Sequence, residues 1–494
     1  MSAILAPSGM LARRELSIAR ARYEAGMGGS RARSNPTVAA THIYREITPA
    51  VRRRLVDDSR DLCDNSPFLC GLIERMVTYV IGCGITPLSA SEDKAFNDDC
   101  DAVFAADTEA VDFAGLLNWP MLQAQLYRSE KRDGDSGVIL GLDDDGNPKV
   151  FPVEGHSIGD PLRYSTGEEF DGVIVGSRGK PAQYRVTLEN PLGIRTYEVV
   201  DAPWFAHFYD PARPGQLRGV PLLAPALATG RDIHDILALE KAAVKDAAAK
   251  VDIIKTASGE LSVESFIQTG GSTLNGSDGT DPAVYYKETF SPETMVLRHG
   301  DEHTPYEPKR PGPAWQGFMD FLAQTVCLAA KIPPSVLLQI KVGGADTRRD
   351  LAAAARVFEI EQIRIARQCA KIRNFFVQAR INDGTLSGAP DDWKSVAWQF
   401  PKTITVDAGR EAQQDREDLR FGSMSEQEYH GRYGNNWRKH RKQIEVEARD
   451  RIQRAKRVAS EEGISFEMAL SILGDRDPVP LLTAEAPQQT ESTP

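Results

Sequence analysis

The sequence predicts a mainly helical α+β fold, and three observations lead there. Apolar residues recur at helical spacing through most of the chain, as in Leu62, Phe68, Leu72, Ile73, Met76, Val77 and Val80. One block changes period: SGVILGL, KVFPVE, GVIVGS, AQYRVTLE and RTYEVV are short apolar runs parted by turn sequences such as DDDGNP and SRGKP. The 494 residues are 41% hydrophobic and 26% charged, a globular composition long enough for several folded units.

Taken in order, residues 1–49 are rich in Ala, Arg, Ser and Gly and read as a basic arm with a helical patch near Ala12–Tyr23. From Thr48 the pattern predicts two helices broken at Asn65-Ser66-Pro67, the second ended by Gly82 and Gly84. A further helix is expected over Asp107–Arg128, then a β-rich unit from Ser136 to Phe208. The Ala-rich, proline-free stretch Gly230–Lys255 predicts one long helix. Irregular sequence around GGSTLNGSDGTDP separates it from a helix over Trp315–Lys331, which stops at Ile332-Pro333-Pro334. Thr347 and Asp350 fit a capping box opening a helix that runs to Arg380, with Leu351, Ala355, Phe358, Ile365, Cys369, Ile372 and Phe376 on one face. Trp393–Phe400 reads as a strand. Ala408–Leu473 reads as helical and rich in alternating charge, and residues 474–494 as a Pro-, Thr- and Glu-rich tail.

The net charge of -11 argues against a protein that grips nucleic acid through one broad basic face. Six scattered cysteines without a C-x-x-C pair read as free thiols in a reducing compartment, and neither a signal peptide nor a membrane span is expected.

Three segments imitate catalytic motifs. KVGGADTRR places Lys341 before its glycines and follows a helix, so it departs from a nucleotide-binding loop. HGDEH, with His299, Glu302 and His303, matches an inverted zinc-protease pattern, but Gly300 and Pro305 oppose the helix that pattern needs. GDSG, Gly134–Gly137, resembles a serine-nucleophile segment, with only His42 upstream as a base; a turn entering a strand explains it better. No enzyme and no cofactor are therefore expected. A zinc hydrolase built on the 299–303 segment is the alternative.

The order of elements resembles the lambda-type family of tailed-bacteriophage portal proteins. Four stretches carry the resemblance: RDLCDNSPFLCGLIERMVTYVIGCGITP; FPVEGHSIGDP with GVIVGSRGKPAQYRV; RPGQLRGVPLLAPAL; and LAAKIPPSVLLQ, in which Lys331 stands near a usual glycine. The resemblance implies a ring, typically of twelve copies, at one capsid vertex of a virion assembled in the host cytoplasm. Double-stranded DNA passes through it, and large terminase, capsid, scaffold and head-tail connector proteins bind it. It involves no membrane. Another ring-forming virion protein is the third reading. The implied parts are a wing (50–228, with a return in 350–405 after the long helix), stem helices (229–255 and 313–334), a clip (256–312), a tunnel loop (335–349) and a crown (406–473). Expected channel residues are Lys341, Val342, Gly343, Gly344, Asp346, Thr347, Arg348 and Arg349, with Lys245, Asp246, Lys250 and Asp252 facing the stem lumen. Asn275, Asp278 and Asp281 are expected to face terminase. The family's usual Asn-Tyr-Ser-Ser-x-Arg sequence is replaced by Gly344–Arg349, so the loop's role carries over but its individual contacts do not.

Overall fold

The computed structural model describes residues 42–159, 168–189, 193–248, 253–255, 302–304, 312–338, 344–401 and 408–473. After a short turn of helix, α1 (Ile43–Glu46), come α2 (Pro49–Asn65) and α3 (Pro67–Val80), split where the sequence predicts. Pro49 and Pro67 each occupy a first helical turn, where a missing N–H costs nothing. Thr48 caps α2 by accepting the Val51 N–H.

The helix expected over Asp107–Arg128 is corrected: it begins only at Trp119, and a separate helix that the sequence reading did not expect ends at Asp107. Helix α4 (Lys94–Asp107) is capped by Asp93, and α5 (Trp119–Asp133) by Asn118 with Pro120 in its first turn. The chain between them is a loop. Asp112 bridges to Val150, its carboxylate accepts the Leu117 N–H, and Gly115 is left-handed. Those local bonds compete with a helix and win.

The β unit lies where the period-2 runs predict. β2 (Asp135–Leu142) pairs antiparallel with β3 (Pro148–Glu154) on one side and β8 (Phe205–Tyr209) on the other. A second sheet has the order β4-β5-β6-β7 (Glu169–Phe170, Val173–Val175, Pro181–Glu189, Arg195–Asp201). Val153, Ile158, Val173, Tyr184, Val186, Val200, Phe205 and Leu217 form the core beneath it.

Helix α6 spans Leu227–Ala248, not Gly230–Lys255; Ile253–Lys255 is a strand, β9, antiparallel to β10 (Glu302–Thr304). Two β-branched residues, Ile253 and Ile254, outweigh the helical run before them. Helix α7 (Pro313–Ala329) packs against α6, and a short α8 (Pro334–Leu338) follows. The long helix α9 runs from Gly344 to Asn382, 39 residues or about 58 Å at the α-helical rise. Its buried face follows the predicted stripe from Phe358 to Phe376, but Ala354, not Ala355, is buried. The predicted capping box is corrected. Thr347 and Asp350 lie inside the helix, which starts three residues earlier and carries Asp346 in its first turn, where a negative charge suits the helix dipole.

The largest core joins α2, α3, α5, the strands of the first sheet, the bases of α6 and α7, and the middle of α9. The predicted strand after α9 is β11 (Val396–Gln399), which pairs with β1 (Thr86–Ser89) and brings the chain back to the first helices. The charged C-terminal region forms α10 (Ala408–Phe421), α11 (Glu426–Arg432), α12 (Trp437–Glu462) and α13 (Phe466–Leu473). Arg438 and Lys442 tie α12 to Asp101 and Asp98 of α4. All six cysteines are unpaired. Among the described residues no helix is long and apolar enough to cross a membrane.

Candidate functional site

The predicted loop sits between two anchored helices. Before it, Lys331 adopts a left-handed conformation, φ 59°, and ends the turn that follows α7. A side chain is strained in that conformation, which glycine adopts freely. After it, Asp350 on α9 accepts a hydrogen bond from the Ser335 hydroxyl on α8 at 2.6 Å, so the two flanks of the loop are tied together.

Of the expected channel residues, Gly344 opens α9, and Asp346, Thr347, Arg348 and Arg349 form its first turns. Arg349 is 76% exposed and lies 3.4 Å from Asp346 and 3.7 Å from Asp350, so its charge is partly answered by two carboxylates. Lys341, Val342 and Gly343 lie outside the described residues, as do Lys250, Asp252, Asn275, Asp278 and Asp281. Lys245 is exposed on α6, and Asp246 belongs to the same helix.

The catalytic look-alikes resolve into structure. Gly134 caps the end of α5 in a left-handed turn, and Asp135 begins β2 fully buried. Ser136 donates its hydroxyl to the Leu126 carbonyl at 2.9 Å, also buried, so it is not presented to a substrate. Gly137 leaves room for the Phe205 ring: a Cβ there would come within 2.2 Å of it. The Glu302–His303 pair of the zinc pattern lies in β10, not on a helix, and His299 is outside the described residues. Among the described residues no group of three or more His, Cys, Asp or Glu could hold a metal.

The Asp135 carboxylate belongs to a buried charge cluster that sequence reading missed. Arg218 donates to it through Nε at 2.6 Å and Nη2 at 3.2 Å. The same guanidinium donates to the carbonyls of Ile158 and Gly155, each at 2.7 Å, and of Asp171. Arg52 on α2 pairs with Asp171, and His207 on β8 lies 3.5 Å from Asp135. Arg52 and Arg218 thus face two aspartates from within, and the partly exposed Arg53 stands 3.6 Å from Asp171. Burial by itself would raise both aspartates. The guanidiniums of Arg218 and Arg52 outweigh it and hold both carboxyls below their usual range. Burial lowers the His207 imidazole, with the contact to Asp135 opposing that shift. The backbone crosses here as closely as atoms allow: a Cβ at Gly219 would stand 1.8 Å from the Gly134 carbonyl oxygen. The Arg218-Gly219-Val220 stretch, in the most distinctive family-like segment, is therefore a clamp joining α2, both sheets and the connection to α6.

A second cluster clamps the long helix. Arg364 reaches Glu130 at 2.7 Å and Glu361 at 2.6 Å, and Lys131 reaches Glu361 at 2.7 Å. Burial raises Glu361, but Lys131 and Arg364 bring it down to about 2. The only signal for either cluster in the sequence is charged residues set in apolar surroundings.

The opposite condition holds on the faces of α6, α7 and α9 that point away from the core. Leu239, Phe318, Phe321, Leu328, Ile360 and Ile363 are all more than half exposed.

Comparison with known proteins gives one assignment. Residues 30–339 match the model of the family described as phage portal protein, lambda family. No curated protein matches the sequence. Among solved structures, a chain of the virion of a native gene transfer agent (GTA) particle aligns with a TM-score of 0.48 at 14% identity. That alignment covers 77% of this chain and 93% of that one. A chain from the neck of the native GTA particle computed with C12 symmetry also gives 0.48, at 15% identity, covering 76% and 92%. The family assignment rests on the sequence match alone.

Proposed function

Because the chain belongs to the lambda family of phage portal proteins, we propose that its copies close into a ring at one capsid vertex, around a channel through which double-stranded DNA is packaged and ejected. The observation that carries the ring is the exposed apolar stripe on the long helices. Phe321 is 64% exposed and Leu328 73% on α7, and Ile360 is 67% exposed on α9, opposite that helix's buried face. A solitary soluble chain rarely leaves such faces to water. A head-to-tail ring covers two different faces of every copy, one at each of its two joints.

In this reading α6 and α7 are the stem, the loop between α8 and α9 lines the constriction, α10–α13 are the crown, and the Arg218 clamp holds the wing. The ring is a dodecamer of the virion, assembled in the host cytoplasm. Residues 256–312 are the clip to which large terminase docks, and capsid, scaffold and head-tail connector proteins meet the other surfaces. The protein contributes no catalysis; the motor is another chain. A channel for a polyanion must not hold it, since every lasting phosphate contact slows movement. The overall charge of -11 supports that. So does the pairing of Arg349 with Asp346 and Asp350, which leaves contacts to DNA weak and salt-sensitive. The zinc-hydrolase alternative needs His299 and His303 one helical turn apart on a helix, and His303 stands in a strand, β10.

Negative-stain microscopy of the purified protein tests the reading. Rings with a central hole are expected, and only monomers or dimers after concentration would overturn it. A ring-assembled protein with Lys341→Ala and Arg348→Ala is expected to package or retain DNA less well. Unchanged packaging and retention would remove the loop's role while leaving the ring.

A further inference from the structure

A groove of about 580 Å³ opens between the second sheet and the long helix. Its walls come from Ser177, Lys180 and Pro181 at the β5–β6 turn, from Tyr184 on β6, from Pro203 before β8, and from Lys371 on α9. Trp204, 49% exposed, stands beside Pro203 and packs edge-on against Phe375. Lys371 is fixed from below, donating to the carbonyls of Phe205 at 2.7 Å and of Ala202. Lys180 is exposed at the rim, next to Arg178. Two lysines line the groove and no carboxylate does. On a chain of net charge -11 this is a local inversion of sign.

Two wall prolines, the exposed Trp204 beside them and a cationic rim suit one kind of occupant: an extended, proline-bearing acidic peptide. Such segments dock in aromatic-lined grooves with little ordering cost. They do not suit a DNA duplex, which needs a row of cations along its backbone. The chain supplies such a peptide. Beyond α13, residues 474–494 carry Asp475, Asp477, Glu485 and Glu491 against the one Arg476, with prolines at 478, 480, 487 and 494. Fully extended, that segment reaches roughly 70 Å, more than the length of the long helix.

We propose that this groove binds the acidic C-terminal segment, residues 474–494, of a copy of this chain. Lys180 answers its carboxylates, and Pro181, Pro203 and Trp204 receive its prolines. The proposal stands whether or not the copies form a ring, since the contact can be made within one chain or between two.

The test uses the full chain. A zero-length carbodiimide coupler is expected to join Lys180 to one of Asp475, Asp477, Glu485 or Glu491, identified by mass spectrometry. In a second measurement, acetylation of Lys180 is compared in the native protein and in a variant with Asp475→Asn, Asp477→Asn, Glu485→Gln and Glu491→Gln. Lys180 is expected to label about threefold faster in the variant, the size a surface ion pair supports, while the exposed Lys245 labels equally in both. Absence of the cross-link overturns the proposal, as does an unchanged labelling rate at Lys180. Protection of Lys180 by a short DNA duplex, with no effect of the tail substitutions, assigns the groove to nucleic acid instead.

Discussion

The Arg218 clamp and the exposed faces of the long helices follow opposite rules. At the clamp Arg52, Arg218, Asp135 and Asp171 are buried and each stands within ion-pair distance of an opposite charge, with one guanidinium shared among Asp135 and three backbone carbonyls. On α6, α7 and α9, large apolar side chains such as Phe321 and Ile360 are left without cover. A region complete in itself resists change, whereas a region incomplete in itself asks for a partner. The contrast teaches where folding ends and assembly begins. The first kind of region sets the shape of one copy, and the second sets what that copy joins.

The clamp gives the largest expected effect. Arg218→Ala leaves Arg52 to answer two buried aspartates and takes a donor from three carbonyls, and breaking a buried pair from one side costs on the order of 3–5 kcal/mol. Chemical denaturation should show that loss, with Arg218→Lys recovering only part of it, since an ammonium cannot bridge the same acceptors. A loss below about 1 kcal/mol would show the clamp to be ornamental. The exposed faces should respond the other way. Phe318→Asp with Phe321→Asp is expected to leave the helical content and denaturation midpoint of one copy unchanged, because both side chains already meet water. Sedimentation should show assembly weakened by at least about tenfold, since each joint loses apolar burial. If instead the copy unfolds and assembly of the folded fraction is normal, the two regions do not divide as argued.

The sequence made the long helices and the β unit legible, because periodicity is local. The break at Ser66-Pro67 and the strand near Val396 could be read the same way. The two helices around residues 108–118 were not separable, because the loop between them depends on Asp112 reaching Val150 across the sheet. The clamp was equally hidden: Arg218 meets Asp135 and Asp171 across 83 and 47 residues of chain, and no spacing rule encodes that. The same cluster turned a protease-like GDSG into a structural corner. At the loop, the departure of Lys331 from the family's glycine was visible in the sequence, but its meaning needed the backbone angle.

Acid should act on the clamp before it acts on the exposed faces. Burial depresses the His207 imidazole in the folded chain, while the unfolded chain titrates near about 6.5. Below that value the unfolded state binds a proton that the folded state refuses, so stability is full above it and falls as the pH drops. Asp135 and Asp171 are held below their usual range, so their contribution is present above about pH 4 and is lost only at lower pH. Between pH 7 and 5, therefore, the slope contributed by this cluster belongs to His207. Denaturation midpoints should fall over that window in the native protein and fall less in His207→Gln. Equal slopes in the two proteins would take His207 out of the balance.

The smallest effect tests the joint between the two kinds of region. Lys331 holds φ 59° where the chain turns from α7 toward the loop. A non-glycine residue there costs about 1–2 kcal/mol, and glycine returns part of that saving as entropy of the unfolded chain, about 0.5–1 kcal/mol. Lys331→Gly should therefore raise stability by no more than about 1 kcal/mol. If the strain is merely local, assembly is unchanged. If assembly also shifts, the turn transmits the set of α7 to the loop, and the division between a self-sufficient clamp and the partner-seeking helices runs through Lys331 rather than beside it.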